Sequence, residues 1–146
     1  MKRVLTLLAA ALALVSWAAA EDGQIIKDRQ GVCQISVPSD WTPDKMFRSM
    51  AASPDKKSSS IISAQRAGAD YHLTVETAKS TYSVTKTVEA SDSRTVLVYE
   101  NRNGKPGGGV YVATGGSQIC VASIDFADPA FEAQAIKIAS TVKTAK

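Results

Sequence analysis

The chain has 146 residues, 45% of them hydrophobic and 21% charged, values typical of a folded globular domain. A single histidine and only two cysteines exclude multi-histidine metal centres and the usual structural zinc sites. The formal net charge is +3, and it falls to +1 without Lys2 and Arg3 at the N-terminus, so charge gives no argument for binding nucleic acid or an anionic membrane.

Residues 1–20 have the pattern of a secretory signal peptide. A basic start is followed by an apolar run over residues 4–15 and by small residues that end at Ala20, the predicted cleavage point. The apolar run is shorter than the roughly 20 residues that a membrane-spanning helix needs. We therefore predict an exported, periplasmic or extracellular protein with one domain over residues 21–146 and no stable membrane insertion.

The mature chain is predicted to begin with two strands. Residues 24–28 form a short strand, and residues 32–37 alternate clearly enough to predict a second one. One face of the second strand carries Cys33, Ile35 and Val37. Pro38 ends this strand, because proline cannot donate to a sheet ladder. Trp41 is then predicted to fold back over the sheet as a core aromatic.

The middle of the chain gives weaker signals. Residues 42–50 carry apolar side chains at helical spacing, but the segment is short and contains a proline near its start, so its structure stays open. Residues 61–66 predict a strand. The next segment fits both periods, and we predict a helix over residues 75–82 with Thr74 as its N-cap.

The second half of the sequence predicts an antiparallel meander. Its strands fall at residues 84–90, 94–99 and 110–114 and in the stretch that leads through Cys120 to Phe126. Short turns separate them, as hairpin connections require. Cys120, Ala122 and Ile124 share one face of the last strand, and the opposite face is also partly apolar. This strand is therefore predicted to lie inside the sheet.

A helix is predicted after the meander. Asp128 at the N-cap and Pro129 at the first helical position are a strong start signal. The apolar stripe that should pack on the sheet consists of Phe131, Ala135, Ile138 and Val142, widened by Ile136 and Ala139. The sequence therefore predicts an α+β domain in which a central antiparallel sheet is flanked by helices.

Cys33 and Cys120 are predicted to form a disulfide, because exported domains usually oxidise their cysteine pairs. In the loop-entropy model, a closed loop of this length contributes about 4–5 kcal/mol to stability. Two buried free thiols are the alternative. A disulfide leaves no cysteine nucleophile and connects the last interior strand with a strand near the start of the domain.

No catalytic, metal-binding or cofactor-binding residue is predicted. His72 is the only histidine, and no Gly-x-Ser-x-Gly motif supplies a serine for it. The glycines of residues 104–109 lead into a strand and not into a helix N-terminus, so they do not form a phosphate loop. Asp125 and Asp128 flank a strand-to-helix junction, where helix capping by Asp128 is favoured over a calcium site.

Residues 101–109 are predicted to be a flexible hairpin loop. Such loops often carry contacts with partners. The residues of the predicted contact loop are Asn101, Arg102, Asn103, Gly104 and Lys105.

A strand that runs into Pro38-Ser39-Asp40-Trp41 resembles the opening of the PsbP/Mog1-like family. The later antiparallel meander and the C-terminal helix ending in residues 138–143 are similar as well. The resemblance covers residues 32–143. It implies an α/β/α sandwich and, because known members are mostly accessory or binding proteins, a binding role. It implies no active-site residue, and fold alone does not give function.

The leading hypothesis is therefore an exported, non-enzymatic binding or accessory domain whose partner is another protein or a component of the cell envelope. A small secreted hydrolase that uses dispersed carboxylates is one alternative. A secreted inhibitor that presents residues 101–109 to the cleft of a foreign enzyme is another.

Overall fold

The structure is a computed structural model that describes residues 23–145, so the predicted signal peptide lies outside the described residues. The strands are β1 (Gln24–Lys27), β2 (Cys33–Val37), β3 (Thr42–Pro43), β4 (Met50–Ala52), β5 (Ser58–Ala64), β6 (Ser83–Ala90), β7 (Arg94–Glu100), β8 (Gly108–Thr114), β9 (Cys120–Phe126) and β10 (Lys143–Thr144). The α-helices are α1 (Tyr71–Thr81) and α2 (Glu132–Ser140).

Two antiparallel sheets organise these strands. The larger sheet has seven strands in the order β3-β4-β5-β9-β8-β7-β6, and the smaller has the order β1-β2-β10. Every neighbouring pair in both sheets is antiparallel. The predicted α+β class and the predicted meander from β6 to β9 are confirmed.

The two helices cover opposite faces of the large sheet. Val75 and Ala78 of α1 pack in one buried cluster with side chains such as Leu97 of β7. Ala135 of α2 packs in the other cluster, together with β1, β2 and Trp41. Because strand side chains alternate between faces, each strand from β7 to β9 contributes to both clusters. The small sheet and α2 therefore form one layer, and α1 forms the other.

Strand β9 lies between β5 and β8, as predicted for an interior strand. Cys120 is fully buried on the α2 side and bonds to Cys33 of β2, with a Cα–Cα distance of 5.6 Å. The predicted disulfide is confirmed. It attaches the small sheet to the centre of the large one.

The open segment at residues 42–50 is not a helix. It forms β3, a loop and the start of β4, because the chain turns back to pair Thr42 with Ala52 and Pro43 with Ala51. The apolar residues at helical spacing therefore belong to a hairpin. Two of them, Met46 and Phe47, lie on the surface.

Helix α1 begins four residues earlier than predicted, and the N-cap prediction was wrong. Asp70 is the N-cap, and its carboxylate accepts a hydrogen bond from the Leu73 N–H at 2.8 Å. The hydroxyl of Thr74 instead donates to the Asp70 carbonyl at 2.7 Å, inside the first turn. The helix begins directly after Asp70 because a carboxylate is a strong acceptor for the free N–H groups at a helix start.

The predicted start of the C-terminal helix is confirmed. Asp128 accepts a hydrogen bond from the Ala130 N–H at 2.9 Å, and a 3₁₀ turn over Pro129–Phe131 leads into α2. Trp41 is 4% exposed and stacks on Phe131 with ring centroids 6.0 Å apart, as expected for a core aromatic. In the part of the chain that the structure describes, no helix is both long and apolar enough to cross a bilayer.

Candidate contact surface

A groove of about 870 Å³ lies between β1 and the loop that joins β3 to β4. Residues 25–29 form one wall, and residues 43–44 and 46–49 supply the other. Ile26 is only 4% exposed, because its side chain enters the core. Since Ile26 nevertheless lines the groove together with both its neighbours, the main chain of β1 forms that wall. We call this feature the β1 groove; its volume lies in the range of typical ligand sites.

The loop opposite β1, residues 44–49, is held in one shape by its own hydrogen bonds; we call it the Asp44 loop. The Asp44 carboxylate accepts from the backbone N–H groups of Met46 and Phe47 at 2.8 and 2.7 Å. The Asp44 N–H donates to the Met50 carbonyl at 2.9 Å, and the Met50 N–H donates to the Phe47 carbonyl at 2.8 Å. The bonds from Phe47 and Met46 favour the ionised carboxylate and lower the pKa of Asp44 from its usual 3.8.

This fixed backbone displays apolar side chains to solvent. Met46 is 83% exposed and Phe47 is 59% exposed. Ile25, on the β1 wall of the same groove, is 50% exposed. The other large hydrophobic side chains exposed among the described residues, such as Leu73 on α1, lie outside this groove. A cluster of exposed apolar side chains around a concave surface is typical of an interaction site.

The basic side chains of the β1 groove are unpaired within residues 23–145, whereas its carboxylates are hydrogen-bonded. Lys27, Arg29 and Arg48 are exposed, and none of them forms a salt bridge or a side-chain hydrogen bond with another described residue. The Asp28 carboxylate is buried and accepts three backbone hydrogen bonds at 2.7–2.9 Å. Asp44 is bound in its own loop. Three free cations therefore border a groove whose two carboxylates are already hydrogen-bonded.

The contact loop predicted from the sequence joins β7 to β8. Because β8 begins at Gly108, this loop ends earlier than predicted, at residue 107; we call residues 101–107 the Asn101 loop. The Asn101 side chain donates to the Pro106 carbonyl at 2.9 Å, and the Arg102 guanidinium donates to the Thr81 carbonyl. A 3₁₀ turn covers Arg102–Gly104. Asn103 and Lys105 are exposed, and the loop displays polar and charged side chains.

His72 lies on the surface of α1. Its side chain is 77% exposed, and Nε2 lies 3.7 Å from a carboxylate oxygen of Asp92. Within residues 23–145, none of the hydrogen bonds joins His72 to a serine, and no group of three metal-ligating side chains comes together. This histidine therefore has an exposed acidic neighbour and no arranged nucleophile.

The acidic residues singled out from the sequence have structural partners. Asp128 caps the turn before α2. Asp125 accepts a hydrogen bond from the Tyr99 hydroxyl. Burial and the nearby Asp125 carboxylate raise the pKa of Tyr99, and burial raises the pKa of Tyr111 to about 12. Both phenols therefore stay protonated at neutral pH, and Tyr99 donates its hydroxyl proton to Asp125 in the packed α1 face.

Sequence reasoning missed the β1 groove, because its two walls are separated by a strand and a turn along the chain. The available signal was a Met-Phe pair that follows Asp44 by two residues; the Asp44 carboxylate accepts hydrogen bonds from the N–H groups of both. Helical spacing masked that signal. The fold also brings Lys27 and Arg29 to the same groove as Arg48, although β2 separates them along the chain.

Comparison with models of known protein families finds no match, and comparison with curated proteins finds no relative of significant similarity.

Proposed function

We propose that this protein is an exported, non-enzymatic binding or accessory domain that contacts a component of the cell envelope through the β1 groove. The observation that carries this proposal is the Asp44 loop. Its backbone is fixed by four hydrogen bonds, yet Met46 and Phe47 remain exposed. Exposed apolar side chains on a rigid loop are ready to bind without a large entropic cost.

The disulfide supports the export part of the proposal. Structural disulfides persist in oxidising compartments such as the periplasm or the extracellular space. The bond between Cys33 and Cys120 is completely buried and joins two sheets. The leader pattern of residues 1–20 points to the same compartments.

Membership in the PsbP/Mog1-like family is part of the same proposal. The antiparallel sheet with a helix on each face supports it, as do the strand that runs into Pro38 and the helix that ends near Val142. The accessory and binding roles that this resemblance implies agree with a contact surface.

The acidic side chains of the β1 groove and of the junction between β9 and α2 favour binding over hydrolysis at these two places. A glycosidase-type hydrolase needs two free carboxylates that face a substrate. Asp28, Asp44 and Asp128 instead accept backbone hydrogen bonds near their own turns. Asp125 accepts from Tyr99.

The proposal is tested with the mature domain as bait. Residues 21–146 are immobilised, incubated with solubilised native envelope, and the retained components are quantified by mass spectrometry. We expect a retained component with the wild type that the Met46→Ser/Phe47→Ser variant loses. Leu73→Ser is the matched control, because Leu73 is 66% exposed on α1 and lies outside the groove. Equal retention by all three proteins contradicts the proposal.

A further inference from the structure

Backbone hydrogen bonds show which groups of β1 are already used. In an antiparallel pair, residues that exchange hydrogen bonds with the partner strand alternate with residues that do not. The Asp28 N–H donates to the Cys33 carbonyl at 3.0 Å, so position 28 is of the bonded type. By alternation along the register, Ile26 opposite Ile35 is also bonded to β2.

The far side of β2 agrees with this assignment. The Ser36 N–H donates to Thr141 Oγ1 at 2.9 Å, and the Ala145 N–H donates to the Val32 carbonyl at 2.8 Å. Even-numbered residues of β2 therefore direct their backbone groups away from β1. Their partners in β1 must do the same on the other side of the pair.

Ile25 and Lys27 are those partners, since they lie opposite Ser36 and Gln34. Strand β1 is at the edge of its sheet, so the N–H and C=O groups of Ile25 and Lys27 point out of the sheet. Among residues 23–145, no backbone or side-chain hydrogen bond outside the strand ladders reaches these groups. They lie at the main-chain wall of the β1 groove.

We propose that an extended acidic segment of a partner protein adds to the free edge of β1 as a new strand and lies in the β1 groove. This inference rests on the proposed function and names the chemistry of its partner. Strand addition uses backbone hydrogen bonds for affinity and alternate side chains for specificity. The outward groups of Ile25 and Lys27 supply the hydrogen bonds, and Met46 and Phe47 supply an apolar surface on the opposite wall.

The free cations select an acidic segment. Lys27 and Arg29 lie on the β1 wall, and Arg48 lies on the opposite wall. A strand in the groove would have these cations on both of its sides. Carboxylates on the incoming segment would complete their ion pairs, and bidentate contacts with arginine are the strongest of this kind.

Other edges of the two sheets are less suited to strand addition. The outer strand of the large sheet, β6, has two register shifts, between Val84 and Lys86 and between Thr87 and Glu89. Such bulges twist an edge and interrupt its row of hydrogen-bonding groups. The edge strands β3 and β10 have two residues each. Strand β1 has four residues without a register shift.

A binding experiment with synthetic peptides tests the proposal. The probe is a short peptide that alternates valine and glutamate, titrated into the isotope-labelled mature domain and followed by NMR. We expect the amide resonances of Ile25 and Lys27 to shift downfield, as new hydrogen bonds require. A peptide of the same length that alternates valine and lysine should bind at least about tenfold more weakly, because the groove is cationic. Equal binding of the two peptides, or shifts confined to other regions, overturns the proposal.

Proline at position 25 separates strand addition from simple surface contact. Ile25→Pro removes an outward N–H and leaves the β1–β2 ladder intact, since the N–H of that residue is not used in the pair. We expect affinity for the acidic peptide to fall about tenfold, the effect of one lost hydrogen bond. Lys27→Glu/Arg29→Glu is a second variant that does not alter the backbone and should lower affinity by at least as much. Unchanged binding in both variants overturns the inference.

The design also distinguishes this inference from the proposed function. If Met46→Ser/Phe47→Ser loses the envelope component while Ile25→Pro retains it, the contact surface stands and strand addition is wrong. If neither variant loses it, both are wrong. Vesicles rich in phosphatidylglycerol are the last probe, because an anionic bilayer carries negative charge as the acidic peptide does. Binding to these vesicles without binding to the acidic peptide overturns the proposal in favour of a lipid surface.

Discussion

Two hairpin loops of this protein are both held by their own hydrogen bonds, yet they face different surroundings. The Asp44 loop is closed by an aspartate and displays Met46 and Phe47. The Asn101 loop is closed by an asparagine and displays Arg102, Asn103 and Lys105. The first loop faces a strand with a free edge, whereas the second joins strands that are paired on both sides.

A loop whose backbone is fixed by hydrogen bonds is therefore not by itself a contact surface. The Asn101 loop serves the sheet, because its ends continue the β7–β8 ladder and its arginine reaches back to the end of α1. The Asp44 loop instead leaves Met46 and Phe47 mostly exposed beside the β1 groove.

Removal of the disulfide should cause the largest loss of stability, and the loss should be greatest in the strands beside the Asp44 loop. Cys33→Ala/Cys120→Ala removes a link across a sequence separation of 87. We expect the free energy of unfolding to fall by about 4–5 kcal/mol, as measured by urea denaturation. Hydrogen exchange should accelerate first in β1 and β2, which the bond attaches to β9. Faster exchange in the Asn101 loop without a change in β1 would contradict the contrast.

Glycine substitutions test the structural role of the second loop. A Cβ at Gly107 would lie 2.1 Å from the Phe126 carbonyl oxygen, and its φ is +89°. Gly104 also has positive φ, +67°, but has open space around it. We expect Gly104→Ala to cost about 1 kcal/mol from backbone strain alone. Gly107→Ala should cost at least about 3 kcal/mol, because backbone atoms must also move. Thermal unfolding of the two variants measures the difference; equal midpoints would refute it.

Of these two loops, only the Asp44 loop should lose hydrogen bonds in acid. The folded-state pKa of Asp44 is depressed, so its contribution is present above the unfolded pKa and is lost as the pH falls through the folded one. We expect the amide resonances of Met46 and Phe47 to move below about pH 3.8, and those of residues 101–107, which include no carboxylate, to stay fixed. Asp44→Asn is the control, because an amide oxygen still accepts hydrogen bonds but does not titrate. Persistence of the transition in that variant would assign it to another group.

Substitution of Met46 and Phe47, which have the largest proposed role in binding, should have the smallest effect on stability. Met46→Ser/Phe47→Ser should change the free energy of unfolding by less than about 0.5 kcal/mol, as is usual for exposed positions. Arg102→Ala/Lys105→Ala should behave likewise on the second loop. Only the first pair should alter retention of the envelope component. A loss of more than 1 kcal/mol for the first pair, by the scale usual for buried side chains, would mean that Met46 and Phe47 pack within the domain.

The parts of the fold that sequence predicts well are those in which one local pattern decides the outcome. Strand β9 is recognisable because both of its faces are apolar and alternate, and an interior strand needs both. The start of the last helix is recognisable because Asp128 and Pro129 satisfy the capping rules by themselves. The cysteine pairing is predictable because the sequence has only two cysteines and begins with a pattern that predicts export.

The segments that the sequence left open or assigned wrongly are those in which the local pattern does not decide the structure. Met46, Phe47 and Met50 have the spacing of a helix, yet pairing of Met50 with Ile61 draws the segment into the large sheet. Thr74 and Asp70 are both residue types that can cap a helix, and the spacing of apolar residues does not decide which of them caps α1. The β1 groove depends on packing of the small sheet beside the β3–β4 hairpin, which no local pattern encodes.

The buried disulfide also imposes an order of events on the growing chain. A polypeptide emerges N-terminus first, from the ribosome or from a translocation pore, so the Cys33 thiol appears long before Cys120. During that interval its correct partner does not yet exist outside. Once both have emerged and the domain has closed, the two sulfur atoms belong to residues with 0% exposure, out of reach of thiol reagents. The redox state of the folded protein is therefore decided before the domain closes, and the surrounding thiol pool reaches the bond only when the domain opens.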